Sequence, residues 1–504
     1  MARRLRRVGA MAPLRLVNRS DEGWMLWVMA RVAHGDVLYR DVYDVTTPLP
    51  AWLGAAAVRV AGSELLVLRL LVAAVIATQV LTACSIARRA GMLTRGRVVL
   101  AVGLVACVSP LLVFSSLYTA SAVLAALVTL RSVQWFLDRA GAAQGTTGPL
   151  VSIGAATAAC FWSKPNIGLL ALGAVVVTLA VAVGRTWRTG ARAIGVVVGV
   201  FAALSVALSA VLAATGAWSA FVDQVFRSKG QYLDLGFSFA TAVERRSEAL
   251  TAVDPIDGRA ILWLLVLATP VVVAVALAWA CWRSRRAVDA RLVGFVTFGV
   301  VGILSAVPRP GVDHLGSALP LMVTAAAGAV LSIPEPGPTL RARRGYLVAG
   351  AAVTAVAALV VIGTALDTSM DGITTDAPHF AATPVRRDLV HQAVRLRAGL
   401  RAHTDGKVFF LREDAGFLSL LTGTRNPLPY DIAERSDFGA DGQRGVIRRL
   451  AAGEARWVCL PPTRMQLPQT NPLVPRAVDR WVRAHGTLTD TLPMCDLYEL
   501  PARH

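Results

Sequence analysis

The sequence predicts an α-helical polytopic membrane protein of about ten spans, with interfacial helices in its first external loop and a small external α/β domain at its carboxyl end. Three observations carry this. Of 504 residues, 55% are hydrophobic and only 16% charged, away from the soluble norm. Apolar runs long enough to cross a bilayer recur along the chain. Short basic loops alternate with neutral ones, which orients those runs.

A formal charge of +19 raises the question of nucleic acid, which the location of the charge answers. Residues 367–504 carry 18 Lys and Arg against 16 Asp and Glu, leaving 33 against 16 in the first 366 residues. The excess belongs to the membrane part, so no nucleic-acid partner is expected.

Hydropathy places spans at 64–87, 97–114, 116–137, 148–163, 167–184, 192–214, 259–282, 291–307, 316–333 and 345–366. Five basic loops mark one side: Arg88, Arg89, Arg95 and Arg97; Arg139; Arg185, Arg188 and Arg192; Arg283, Arg285, Arg286 and Arg291; and Arg341, Arg343 and Arg344. The positive-inside rule makes these cytoplasmic, so the turns at Ser115, Lys164 and Arg309, the loop 215–258 and everything after 367 lie outside. Ten spans with an external carboxyl end require an external amino end. Yet residues 1–19 are basic, with no apolar stretch able to cross a membrane and no signal-peptide core. Either the start is unusual or a first spanning helix precedes this sequence. The organisation expected is a basic segment 1–19, an external loop 20–63, a transmembrane domain 64–366 and an external domain 367–504.

In that last domain "GKVFFLRED" and "EARWVCLPP" read as short buried strands. "DLVHQAVRLRAGLRAH" and "QRGVIRRLAAG" read as amphipathic helices. Cys459 and Cys495 fall here, the pair that an oxidising compartment would allow to bond; Cys84, Cys107, Cys160 and Cys281 fall in spans as packing residues. The seven histidines are scattered without ligand spacing, so no metal site is expected.

Ionisable residues at membrane level are costly and tend to be functional. Inside the spans there is little beyond Arg69 and Arg131. The rest gathers on the outer face: Asp21, Glu22, Asp36, Asp41 and Asp44 before the first span, Lys164 in "FWSKPNIG", and Arg309, Asp313 and His314 in "PRPGVDHLGSALP". Each has a structural reading beside the functional one. Asp21 could cap a helix opening at "GWMLWVMARVA", where a carboxylate suits the helix dipole. Asp36 reads as a turn residue, His314 as a loop histidine, and Trp24 and Trp27 as interfacial anchors. Lys164 could be an anchor too, but the chain holds three lysines against 48 arginines among its 51 basic residues, and one sits at membrane level beside Pro165 and Asn166. Convergence on one face favours function. Residues 21–33 and 47–62 are too short or unconvincing as spans and suit helices lying in the outer interface, apolar side toward lipid and acids toward water or a cleft.

With "DEGWMLWVMARVAHGDVLYRD", "TTPLPAWLGAAAVRVAG", "SKPNIG" and "PRPGVDHLGSALP" in this order, residues 20–330 resemble the GT-C class of integral-membrane glycosyltransferases, of the protein mannosyltransferase and aminoarabinose transferase type. The tail "REDAGFLSLLTGTRNPLPYD" is similar to the external domain of some bacterial relatives of unassigned substrate. The resemblance implies a sugar donor on a polyprenyl phosphate in the plasma membrane, and a cell-envelope glycan, glycolipid or protein acceptor. It implies no cofactor and, in these branches, no metal. It assigns Asp21, with Glu22 beside it, as base or acceptor-positioning group. Cations would meet the departing lipid phosphate: Lys164 and Arg309 first, Arg69 and His314 behind them, with Asp41, Asp44 and Asp313 as further site candidates. Displacement at the anomeric carbon, with inversion, would follow.

The chain departs from the resemblance in two ways. Many relatives carry a lysine before the proline that opens the second interfacial helix; Thr46 and Thr47 precede Pro48 here. The class also places a spanning helix ahead of the Asp-Glu loop. Rival readings remain: a lipid or glycolipid flippase, an ion-coupled transporter, against which the lack of midplane carboxylates argues, or a non-catalytic envelope assembly protein.

Overall fold

The computed structural model describes residues 21–108, 117–183, 187–228, 258–284, 289–305, 312–333, 372–374, 379–380, 383–434, 437–462 and 474–501. The chain divides into two compact units, one of residues 1–71, 209–236 and 365–504 and one of residues 72–208 and 237–364. The acidic loop and the carboxyl-terminal domain, separate in the sequence reading, are therefore one folded unit.

In chain order the helices are α1 (Asp21–Ala33), α2 (Pro48–Ala61), α3 (Leu65–Arg89), α4 (Thr94–Val108), α5 (Leu117–Gly141) and α6 (Thr147–Ser163). They continue with α7 (Pro165–Val183), α8 (Trp187–Ala214), the short α9 (Trp218–Val222), α10 (Gly258–Arg283), α11 (Ala290–Leu304) and α12 (Val312–Leu331). Among the described residues five helices are long and apolar enough to cross a membrane: Leu65–Arg89, Leu117–Gly141, Pro165–Val183, Gly190–Ala214 and His314–Leu331. Ala268–Arg283 and Ala290–Leu304 are shorter apolar helices. The tenth expected span, 345–366, lies outside the described residues, as do residues 1–20.

The second unit is organised on α5. Ala122, Val123, Ala126, Leu127, Leu130 and Val133 are fully buried at a three-and-four spacing, the stripe of a helix covered along one face. Small residues let the helices approach: a Cβ on Gly302 would lie 3.2 Å from the Met322 backbone nitrogen, so α11 and α12 touch backbone to backbone.

In the first unit the carboxyl-terminal segment folds as β1 (Gly372–Thr374), β2 (Pro384–Arg386), α13 (Arg387–His403), β3 (Phe409–Phe410), α14 (Ala415–Thr422), α15 (Gly442–Ala451), β4 (Trp457–Leu460), α16 (Arg476–His485), β5 (Thr487–Leu492) and β6 (Cys495–Glu499). Strands β1 and β2 form an antiparallel pair, and the main sheet runs β3-β4-β6-β5, with only β3 and β4 parallel. Alternation along the strands supplies two buried faces. Phe409, Val458, Leu460 and Tyr498 pack with Val446 and Leu450 of α15 and Val478 and Val482 of α16. Cys459 and Cys495 are both fully buried and are disulfide-bonded, their Cα atoms 5.3 Å apart, a normal separation for such a bridge.

Helix α1 is not laid on an interface with an apolar side to lipid, as the sequence suggested. Glu22, Trp24, Met25, Leu26, Val28, Met29 and Ala30 are all buried. The cause is a tight crossing with α14, where a Cβ on Gly416 would stand 2.9 Å from the Trp24 Cα and 3.2 Å from the Trp27 Cβ. The apolar surface meant for lipid is spent on the carboxyl-terminal domain and on α2. Helix α2 does keep an exposed apolar side, with Leu53 48% and Val60 90% exposed.

Replacing Gly416 by alanine should therefore overpack the crossing and lower stability by about 1–3 kcal/mol. Thermal unfolding in detergent checks this, and an unchanged midpoint would mean that α1 can move off α14 freely.

Candidate functional site

The acidic pair opens α1, and the fold treats its two members differently. Glu22 turns inward and receives a two-pronged ion pair from Arg69, Nε to Oε1 and Nη2 to Oε2, both at 2.9 Å. Both side chains are buried, Arg69 at 9% and Glu22 at 5% exposure. Such fork-to-carboxylate geometry is the strong form of the interaction. Asp21 remains half-buried in the first turn of the helix, where its charge suits the helix dipole. Arg69, a candidate for the lipid phosphate on sequence grounds, is thus engaged by the chain's own glutamate.

The loop after α1 absorbs the other two aspartates. Asp41 accepts from Arg40 through both oxygens and from the Val37 amide at 2.8 Å. Arg40 is the leading cause that holds this carboxyl below its usual range, against a smaller opposing effect of burial. Asp44 accepts from the Thr46 amide and hydroxyl, an Asx-type turn, and its own N–H donates to Gln224. Both shape the loop. Thr47, at the N-cap of α2 where relatives were expected to present a lysine, is fully buried, and its hydroxyl makes no hydrogen bond.

Lys164 belongs to the second unit. It ends α6 and precedes Pro165, the first residue of α7, so the chain breaks between two helices at this point. Its Nζ lies 3.3 Å from the Thr119 hydroxyl and 5.6 Å above the Tyr118 ring. The break is held by the Gly168 amide, which donates to the Lys164 carbonyl at 3.1 Å. His314 stands half-buried near the start of α12 in the same unit. Arg309 lies outside the described residues, as does the side chain of Asp313. Among the described residues no group of three His, Cys, Asp or Glu is gathered as a metal cluster.

The archaeal oligosaccharyltransferase AglB from Archaeoglobus fulgidus, in complex with an inhibitory peptide and a dolichol-phosphate, is similar over 89% of this chain with a TM-score of 0.54 at 10% identity. This chain spans 66% of the length of that one. ArnT from Cupriavidus metallidurans, bound to undecaprenyl phosphate, is similar over 97% of this chain and 95% of its own, with a TM-score of 0.51 at 12% identity. The chain shares the fold of these two proteins. No protein-family model and no curated protein matches it by sequence.

Sequence reasoning missed the residue that anchors the acidic loop. Arg31, near the end of α1 and 8% exposed, donates Nε to Asp36 at 2.6 Å, Nη1 to Asp431 at 2.8 Å and Nη2 to the Asp41 carbonyl at 2.8 Å. Asp431 is fully buried and also accepts from Asn426 at 3.1 Å. Burial pushes its carboxyl up, and the Arg31 charge opposes that most strongly. A signal did exist: an arginine within "MLWVMARVA" needs a buried partner. The partner's distance along the chain concealed it.

Cutting Arg31 to alanine should leave Asp431 buried and unpaired, costing about 3–5 kcal/mol, while pairing Arg31→Met with Asp431→Leu should recover most of that loss. Denaturant unfolding of the three proteins decides it. Asp41 gives a pH test. Its folded pKa is depressed, so its contribution is present above the ordinary carboxylate range and is lost as pH falls through the folded value. Asp41→Asn should accordingly flatten the acid limb of the stability profile, and an unaltered limb would assign acid sensitivity to other groups.

Proposed function

We propose that this chain transfers a sugar from a polyprenyl-phosphate donor to a cell-envelope glycan, glycolipid or protein acceptor at the outer face of the plasma membrane. The observation that carries the reading is the GT-C fold, shared with two proteins whose structures hold a polyprenyl phosphate, dolichol-phosphate in one and undecaprenyl phosphate in the other. The donor has no nucleotide, so the leaving group is a lipid phosphate that cations of the chain can receive without a metal.

In this reading Asp21 takes the proton of the acceptor hydroxyl as that oxygen attacks the anomeric carbon, with inversion. The phosphate departs toward Lys164 and Arg309, with His314 in reserve, and its developing charge is stabilised by cations already in place. The division within the acidic pair supports the choice of Asp21 over Glu22. A carboxylate locked in a buried two-pronged ion pair is a poor base, because protonating it would strand Arg69 in a low-dielectric site. Glu22 and Arg69 then act together as the frame that fixes the first turn of α1. The Lys164 break serves the second requirement, a cation held short of the helix interior by a hydroxyl and an aromatic face.

Release of labelled sugar from a polyprenyl-phosphate donor in detergent, with donor binding measured alongside, tests the proposal. Asp21→Asn should reduce turnover by at least about 100-fold, the lower end of the contribution of a positioned base, with donor binding kept. Lys164→Ala should weaken donor binding and turnover together. A fully active Asp21→Asn protein would sink the assignment of the base. Passage of intact lipid-linked sugar across a vesicle membrane without bond cleavage would favour the flippase instead.

A further inference from the structure

The second unit carries a group of cations that the proposed transfer does not use. It lies toward the ends of α3 and α5 that lead into basic loops, which the positive-inside rule assigns to the cytosol. Arg89, the last residue of α3, and Arg291, in the first turn of α11, both donate to Asp138 of α5, one to each carboxylate oxygen. Asp138 is thereby shared by two guanidinium groups. Seven residues earlier on α5, two turns and about 10 Å deeper along the helix, stands Arg131, inside one of the five helices able to cross a membrane.

Arg131 donates Nε to the Ser85 hydroxyl of α3 at 2.9 Å. Ser85 lies one helical turn before Arg89, so this face of α3 and the Arg131–Asp138 face of α5 meet along the same line. Among the described residues no carboxylate lies within ion-pair distance of Arg131, which feels Asp138 only at longer range, and the Nε of Arg89 is buried without a hydrogen-bond partner. Two arginines thus divide one aspartate, and a third stands near them on a neutral hydroxyl. A net positive cluster in a medium of low dielectric is costly unless an anion completes it. Guanidinium groups supplied by α3, α5 and α11 suit the tetrahedral oxygens of a phosphate.

We propose that Arg89, Arg131 and Arg291 form a binding site for the phosphate headgroup of an anionic phospholipid of the adjacent leaflet, seated between α3 and α5. A lipid is the occupant that fits, because Arg131 is set within a spanning helix, where a phosphate tethered to acyl chains can stay while its tails lie along the apolar faces. Leu81, one turn before Ser85 on α3, is 71% exposed and offers such a face.

The test is a titration of the purified full chain in zwitterionic detergent, read by thermal unfolding and by mass spectrometry of retained lipid. Phosphatidylglycerol should stabilise the wild-type chain and remain bound, whereas phosphatidylcholine should do neither. Arg131→Gln should weaken the phosphatidylglycerol effect by about tenfold or more, the loss of one charge-assisted hydrogen bond, and Arg131→Lys should restore part of it. Arg89→Gln provides a second arm should Arg131→Gln fail to give folded protein. Equal stabilisation by phosphatidylcholine, or full phosphatidylglycerol affinity in the glutamine variants, would overturn the site. Stabilisation by inorganic phosphate matching that by phosphatidylglycerol would overturn the lipid as its occupant. Sugar transfer is not the readout, so the outcome is independent of the proposed enzymatic function.

Discussion

The buried ion pair between Arg31 and Asp431 is the interaction on which the rest of the first unit depends. It joins positions 400 residues apart, and Asp431, Asp36 and the Asp41 carbonyl together engage each of the three guanidinium nitrogens. Buried charge pairs rarely add much net stability over apolar packing, because desolvation takes back most of the Coulombic gain. What they do enforce is geometry, since a misregistered loop would strand both charges. The close crossing of α1 on α14 at Gly416 and the ion pair fix the same register. A backbone bond reinforces the same docking, the Tyr43 amide donating to the Pro429 carbonyl at 2.9 Å. The acidic loop is therefore held by the carboxyl-terminal domain rather than by its own short helices.

From that anchoring the roles within the Asp-Glu pair follow. Two adjacent carboxylates in one helical turn point about 100° apart. Once α1 is fixed against α14 and α2, one of them must face the interior. Glu22 takes that position, and its charge is tolerable only because Arg69 meets it with two parallel hydrogen bonds. The cost of burying one acid is the means by which its neighbour is held still.

How much of this was legible in the sequence depends on the range of the interaction. Hydropathy located the five helices long and apolar enough to cross a membrane among the described residues, and the polar residues at helix ends named the loops of interest, because both signals are local. "GKVFFLRED" and "EARWVCLPP" became β3 and β4 for the same reason. Strand β5, "TLTDTL", was not anticipated, since it is an edge strand exposed along most of its length and its composition is set by water rather than by a core. The interfacial reading of α1 failed on a non-local fact. Its apolar side is real, but a helix of the distant tail covers it, and hydropathy does not distinguish lipid from protein as the apolar partner. The engagement of Arg69 by Glu22 was hidden likewise, although both residues had been singled out.

Cations at membrane level illustrate a general constraint on this chain. Lys164 sits at a break between helices, where a hydroxyl, an aromatic ring and the disrupted backbone lie close together. Arg131 sits within a continuous helix and is given one neutral hydroxyl. The break brings polar groups to a single point, and a helix interior cannot, because its own amides and carbonyls are already paired. A charge at a break can be balanced by the chain and remain available to a transient ligand such as a departing phosphate. A charge in a helix interior has to be balanced from a neighbour, and where Asp138 is already divided between Arg89 and Arg291 the proposed lipid phosphate would supply the rest. The first arrangement suits turnover, and the second suits a resident anion.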